Sequence, residues 1–301
     1  MTTKKTVLIT GCSDGTLGSA LALAFHAAGG WRVFASARNL AKLHDVRSAG
    51  IECVQLDVQS QESIAKAVDE VRTLTGGALD ALVNNAGTGY NMPVMHMDLQ
   101  MTRDVFDLNF FSLVTVTQAF IPLLLQSTRS PLIANNTTGQ ALLGCGFPFQ
   151  AAYAASKAAA ASLTENLRME LGPLGIRVVN LLTGGVKSKF TSNPDFSGTE
   201  LPPDSIYNLA KSAIEGAWRD TTDSGKADAG EWAKQVVRDL SQSKPSYLIS
   251  RGQQAMLGRF VTLLPIGTMD GTFQKMTGLD VLDKEIRAAG GVHKAQAKVG
   301  K

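Results

Sequence analysis

The sequence predicts a doubly wound α/β fold, a parallel sheet of about seven strands with helices on both faces, extended by a substrate lid and a C-terminal segment. Three observations point there. Short apolar runs alternate with longer helical patterns from Thr6 onward. Those runs hold few polar residues, as strands covered on both faces do. A glycine-rich turn, Gly11 to Gly18, follows the first run and leads directly into a helix.

In chain order, strands are predicted at 6–10, 31–37, 52–58, 81–84, 132–136 and 176–182. Helices are predicted at 19–28, 39–49, 60–75, 101–126 and 151–171, the last closed by Gly172 and Gly175. The series makes one domain of residues 1–301. It breaks between 187 and 231, where Asn193-Pro194, Pro202-Pro203 and residues 220–230 are turn and loop chemistry. Regular structure resumes afterwards, so 187–230 reads as a lid and not a linker. Trp232, Val236, Val237 and Leu240 mark one face of a further helix, and 246–250 offers a last strand. Residues 254–279 are apolar and interrupted at Pro265. A packed C-terminal extension over 254–301 is expected there, with a lipid-touching surface as the alternative.

Composition narrows the class. With 301 residues, 44% hydrophobic, 18% charged and only 10 Pro, the chain is an ordered globular protein. Its net charge of +3 comes from 29 basic and 26 acidic residues spread along the chain, which argues against a nucleic-acid partner. Cys12, Cys53 and Cys145 are odd in number and far apart, so neither a disulfide framework nor a cysteine zinc site is expected, and no metal is assigned. Lys4 and Lys5 precede an apolar run too short for a signal-peptide core, and no apolar run reaches about 18 residues. A soluble protein of a reducing compartment, the cytoplasm, is expected, with peripheral lipid contact through the C-terminal extension as the alternative.

The glycine-rich turn carries the first piece of chemistry. Gly11, Gly15 and Gly18, with Ser13 and Leu17 between them, let the backbone turn tightly and approach a pyrophosphate. The helix N-terminus behind them supplies unpaired N–H groups and partial positive charge. The end of the second strand selects between nicotinamide cofactors, because a carboxylate there would hold a ribose diol and repel a 2′-phosphate. No Asp or Glu occurs from Trp31 to His44, and the strand exits through Ser36-Ala37-Arg38. NADP(H) is therefore the expected cofactor, with Arg38 on the adenine and its phosphate. Asp57 with Val58, and Asn84-Asn85-Ala86-Gly87, close the third and fourth strands, where ligands bind in such sheets.

Tyr153 and Lys157 lie four residues apart on one helix face. A phenol with a reference pKa of about 10 becomes a usable acid–base group when a cation favours its anion. Tyr207 and Lys211 repeat the spacing but fall in the irregular insertion, and read as a chance match.

These residues resemble the short-chain dehydrogenase/reductase family over about 6–188, through the glycine-rich turn, Asn84-Asn85-Ala86-Gly87, Asn109, a hydroxyl-bearing strand end, and Tyr153 with Lys157. The segment 231–279, with Trp232, Lys244-Pro245 and Leu264-Pro265, is similar to the fungal 1-acyl-dihydroxyacetone-phosphate reductase-like branch. The resemblance implies a Rossmann fold and a catalytic set of Asn109, Thr138, Tyr153 and Lys157. Tyr153 would protonate a substrate carbonyl while nicotinamide delivers hydride. Lys157 would hold the nicotinamide ribose and lower the tyrosine pKa, and Asn109 would anchor a proton-relaying water. Asp57 and Val58 would meet the adenine, Asn85, Ala86 and Gly87 the ribose, and the Val186 backbone with the Ser188 hydroxyl the carboxamide. A homodimer or homotetramer is implied as well.

Three departures stand out. The family's catalytic serine aligns with Thr138, with Thr137 the alternative, although counting back from Tyr153 by the usual distance reaches Gln140. Thr16 stands where a glycine is common, in a turn one residue longer than usual. The family's Pro-Gly after the sixth strand reads Thr183-Gly184. The leading expectation is an NADPH-dependent reductase of a ketone or aldehyde on a hydrophobic or bulky substrate, such as acyl-dihydroxyacetone phosphate or a secondary-metabolite carbonyl compound. The alternatives are an isomerase or cyclase on the same fold without net redox, and a non-catalytic NADPH-binding protein.

Overall fold

The computed structural model describes residues 4–142, 147–190, 200–218, 225–261 and 263–299. Cys145, Asn193-Pro194 and residues 220–224 of the expected lid lie outside them. Strands β1 (Lys5–Ile9), β2 (Trp31–Ala37), β3 (Glu52–Gln55), β4 (Ala81–Asn84), β5 (Leu132–Thr138), β6 (Arg177–Thr183) and β7 (Leu248–Arg251) form one sheet. Its order is β3-β2-β1-β4-β5-β6-β7, and every pairing is parallel. The chain order reverses across β1, between β2 and β4, and at such a switch point the carboxyl ends of the strands open a crevice.

The helices are α1 (Leu17–Ala27), α2 (His44–Ser48), α3 (Gln61–Thr75), α4 (Leu99–Phe106), α5 (Ser112–Leu125), α6 (Ala151–Leu171), α7 (Lys211–Trp218), α8 (Ala229–Leu240), α9 (Ala255–Val261), α10 (Asp270–Thr277), α11 (Leu279–Ala288) and α12 (Val292–Val299). Strand residues alternate between two apolar layers, as a period of two requires. Val7, Ile9, Val33, Val83 and Val179 pack with Leu21 and Phe25 of α1 and Trp232 and Val236 of α8. Leu8, Phe34, Leu82, Ile133 and Val178 face the other way, onto Val68 of α3 and Val116, Phe120 and Leu124 of α5.

Local chemistry explains the ends of these helices. Thr16, Ser60, Asp98 and Asp228 each accept from a backbone N–H in the first turn of α1, α3, α4 and α8. Gly76, with φ 72°, ends α3 in the left-handed conformation that glycine adopts without strain. The long helix expected at 101–126 is α4 and α5 joined through a π-helical turn, Asp107–Phe111, in which the Ser112 N–H reaches back to the Asp107 carbonyl. By length and composition alone 99–125 could cross a membrane. Its inner face, however, is part of the core under the sheet.

The 187–230 segment is more regular than its turn chemistry predicted. It contains a 3-10 turn, Ile206–Ala210, and α7, which bury Ile214 and Trp218 against Leu282 of α11 and against Phe149. In the C-terminal extension, α9 packs beside the turn after β5, as expected of a packed segment. Leu263 and Ile266 are instead 80% and 88% exposed.

Candidate active site

The turn after β1 is built to leave bare backbone. Gly11 has φ +72°, and a Cβ there would come within 2.9 Å of the Ala86 Cα. A Cβ on Gly18, at the start of α1, would meet Asn85 Nδ2 at 2.7 Å. Thr16 needs no glycine conformation at φ −91°, and its hydroxyl closes the longer turn by donating to the Ser13 carbonyl at 2.6 Å and the Gly11 carbonyl at 2.9 Å. Asp14 turns its carboxylate away to the start of α2, accepting from the His44 and Asp45 N–H groups at 3.1 and 2.9 Å. Its charge is thereby held at a helix N-terminus and not at the phosphate-facing side of the turn. Ser13 and Leu17 are half-buried between these points.

Asn85 and Ala86 are fixed to the same turn, both N–H groups donating to Thr10 Oγ1 at 2.9 and 3.0 Å. Asn85 Nδ2 donates to the Thr10 carbonyl at 3.0 Å. Gly87 sits where a Cβ would be 2.9 Å from Asn109 Oδ1 and 3.3 Å from Lys157 Nζ. At these three positions only glycine lets the turn, the Asn85-Ala86-Gly87 segment and Asn109 pack this closely at the carboxyl ends of the strands, which is the arrangement a dinucleotide's pyrophosphate and ribose need, so the residues fit that group. At the adenosine end, Arg38 lies exposed at the exit of β2, while Asp57 is half-buried and Val58 buried after β3.

The catalytic candidates converge on the carboxyl ends of β5 and β6. Asn109 is carried on the π-helical turn and is 2% exposed. Its Oδ1 accepts from the Thr88 N–H at 2.9 Å, and its Nδ2 donates to the Thr88 carbonyl and to Ser156 Oγ, both at 2.9 Å. Ser156 belongs to α6, between Tyr153 and Lys157, so this bond ties the two catalytic helices together. Lys157 is buried and its Nζ donates to the Asn136 carbonyl at 3.0 Å. Tyr153 is half-buried, with the Thr138 side chain close enough to act on its hydroxyl. Thr137 is excluded as the alternative, because its hydroxyl donates away from the site to Asn180 Oδ1 at 2.6 Å. Gln140 lies beyond the strand end, its N–H on Thr138 Oγ1 at 3.4 Å.

Burial pushes the Tyr153 phenol up to about 12, and the opposing pull comes from the Thr138 side chain. Burial also pushes Lys157 down to about 8. Its ammonium is directed at a carbonyl oxygen, so at neutral pH the ordinary state of the pair is a neutral phenol and a lysine close to its titration point.

The loop after β6 lacks the family's proline but is held on several sides. Gly184 and Gly185 donate to the carbonyls of Arg251 and Gln253, both at 2.9 Å, and Lys187 donates to the Ala227 carbonyl at 2.9 Å. Val186 bridges to Ala227 and packs on the core. Ser188 Oγ accepts from the Phe190 N–H at 3.4 Å. The Lys189 N–H donates to the Gly15 carbonyl at 3.0 Å, so the segment after β6 rests on the glycine-rich turn. The Phe190 ring stands 5.9 Å from that of Tyr153. Tyr207 and Lys211 are not a second catalytic pair: Tyr207 stacks edge-on with Phe149 and His96, and Lys211 pairs with Glu215.

Sequence reasoning missed Asn136, Thr183 and Ser156 as site residues. Asn136 and Thr183 were detectable in principle, since polar side chains in strands covered on both faces must find partners. A larger groove, about 660 Å³, opens at the amino ends of the strands. Arg32 there is paired with Glu52, and Asp80 accepts from Thr6 and Ser127, so these charges serve the fold.

Residues 5–195 match the family described as short chain dehydrogenase. A short-chain dehydrogenase/reductase of Pestalotiopsis microspora is 43% identical over 289 residues, covering 95% of this chain and 98% of the relative. The NADPH-dependent 1-acyldihydroxyacetone phosphate reductase of Schizosaccharomyces pombe is 38% identical over 209 residues, 69% of each chain. A solved short-chain dehydrogenase from Streptomyces avermitilis superposes with a TM-score of 0.72 at 27% identity, over 94% of this chain and 98% of that one. With Tyr153, Lys157 and Asn109 brought to the carboxyl edge of a parallel sheet, and a relative matching nearly end to end, the chain belongs to the short-chain dehydrogenases, a family of oxidoreductases.

Proposed function

We propose that this chain is an NADPH-dependent reductase of a ketone or aldehyde carried on a bulky, apolar molecule. The observation that carries this reading is Tyr153 held beside Thr138 and one helical turn from buried Lys157, at the strand ends where the glycine-rich turn and Asn85-Ala86-Gly87 meet. The phenol, held up to about 12, keeps its proton at working pH and is set to donate it. Thr138 offers a second hydroxyl to the same carbonyl oxygen and fixes where that oxygen sits. Reduced nicotinamide, when bound, supplies hydride to the carbonyl carbon. Lys157 lies one helical turn further along α6, where its positive charge favours the phenolate that Tyr153 leaves behind. The Asn109 side chain is held by Thr88 and Ser156, which fixes where a relay water at this residue would sit.

Support for NADPH comes from Arg38 and the acid-free stretch from Trp31 to His44, and from the NADPH-dependent fission-yeast relative. Support for a bulky apolar substrate comes from Phe190 against Tyr153 and from the lid that begins beside it. The test is to follow NADPH consumption with a panel of aromatic and long-chain ketones, in wild type and Tyr153→Phe. Stoichiometric NADPH use that Tyr153→Phe lowers by about 10²–10⁴-fold is expected. Product formed without NADPH use would sink the reading in favour of a cyclase or isomerase. Nucleotide binding without turnover across the panel would sink it in favour of a binding protein.

A further inference from the structure

Three side chains and one main-chain carbonyl form a continuous hydrogen-bonded chain across the carboxyl edge of the sheet. Thr183, on β6, donates its hydroxyl to Asn136 Oδ1 at 2.5 Å. Asn136, on β5, donates from Nδ2 to Asn85 Oδ1 at 2.8 Å. Asn85, just after β4, donates to the carbonyl of Thr10, just after β1, at 3.0 Å. These follow the spatial order of the strands, β1-β4-β5-β6, so the chain crosses the sheet without skipping a strand. Asn136 also presents its main-chain carbonyl to Lys157 Nζ at 3.0 Å. It therefore touches three parts of the cofactor cleft at once: the catalytic lysine, the Asn85-Ala86-Gly87 wall and the loop opening at Thr183.

We infer that Asn136 and Thr183 are positioning residues, a buried pair that fixes the nicotinamide side of the cleft in place of the proline that the family carries after the sixth strand. The two departures belong together. A threonine at 183 lacks the ring that would lock φ, so the end of β6 depends on its pairing with Thr138 and Arg251 and on the threonine side chain. Its hydroxyl, locked onto Asn136, restores one orientation. Asn136 is only 9% exposed, as is Thr183, so neither polar group has water to fall back on. Asn136 in turn is held from the opposite side by Asn85, whose amide is anchored at Thr10. Rotation at Thr183 is thus resisted by the whole row and not by one bond.

This inference rests on the reading of the chain as an NADPH-dependent enzyme, and its test separates the two. Calorimetric titration with NADPH and with 2′,5′-ADP, a fragment that lacks the nicotinamide half, is carried out on wild type, Thr183→Val, Thr183→Ser, Asn136→Val and Asn136→Val/Thr183→Pro. Thr183→Val and Asn136→Val are expected to weaken NADPH about tenfold, the scale of one buried hydrogen bond, while leaving 2′,5′-ADP unchanged. Thr183→Ser keeps the donor and should bind as wild type does. Asn136→Val/Thr183→Pro replaces the polar pair by an apolar residue and a proline, and should recover most of the loss. Unchanged NADPH affinity in Thr183→Val overturns the inference while leaving the enzyme reading intact. Equal weakening of both ligands, with a lowered Tm, overturns it in favour of a merely structural bond. A wild type that binds neither ligand overturns both readings together. If Asn136→Val fails to fold, the Thr183→Val and Thr183→Ser pair still decides.

Discussion

Thr138 is the threonine of β5 that acts on the Tyr153 hydroxyl, while Thr137, its neighbour in the same strand, turns its hydroxyl to Asn180 at 2.6 Å on the buried side. Adjacent residues of a strand point to opposite faces, so only one of two consecutive threonines can reach the tyrosine. Thr138→Val is expected to cut kcat by about 10²-fold, as for loss of one donor to the reacting oxygen. Thr137→Val should leave kcat within about twofold but cost roughly 1–3 kcal/mol of stability by stranding Asn180. Steady-state kinetics and urea unfolding on the two variants check both halves.

Arg38 stands exposed where β2 ends, in a stretch with no carboxylate from Trp31 to His44. Arg38→Asp removes the cation and introduces a group that hydrogen-bonds a ribose diol and repels a phosphate. NADPH affinity should fall by about tenfold or more and NADH affinity should rise, measured by quenching of nucleotide fluorescence.

Gly87→Ala places a methyl group 2.9 Å from Asn109 Oδ1 and 3.3 Å from Lys157 Nζ. Either Asn109 or Lys157 must yield. We expect kcat/KM to drop at least about tenfold, a barrier change of about 1.4 kcal/mol. The Tm should move by a few degrees at most, because the residue borders the cleft and not the core. Equal activity with an unchanged KM for NADPH would count against this placement of the cofactor wall.

Burial lowers Lys157 from its ordinary value of 10.5 to about 8. Between those values the unfolded chain binds the proton that the folded chain has released, so folding stability contributed by this group rises with pH through that window and is lowest below it. Tyr153 and Cys12, both raised to about 12 by burial, act oppositely, losing stability as pH climbs above their unfolded values. Comparing wild type with Lys157→Met isolates the lysine. Urea unfolding should show the wild-type stability gaining on that of Lys157→Met from about pH 8 to about pH 10.5, by roughly 2 kcal/mol. A difference independent of pH would mean that the ammonium is solvated.

The sequence by itself determined the α/β class, the parallel sheet, the bounds of β2, β4 and α6, and the identity of Tyr153, Lys157, Asn109 and the glycine-rich turn, because each rests on local periodicity, on turn chemistry or on a motif of fixed spacing. It misjudged 206–218 as irregular, since that segment becomes helical by burying Ile214 and Trp218 against α11, a partner more than sixty residues away. Only the tertiary structure turned Thr137 to Asn180, left Thr138 beside Tyr153, and assigned the carboxylate of Asp14 to α2. It also joined Thr10, Asn85, Asn136 and Thr183, which come from four strands in spatial order and lie scattered in the chain. Hydrogen bonds and desolvation depend on which atoms meet in space, and strand order, which brings those atoms together, is not written in the spacing of any one segment.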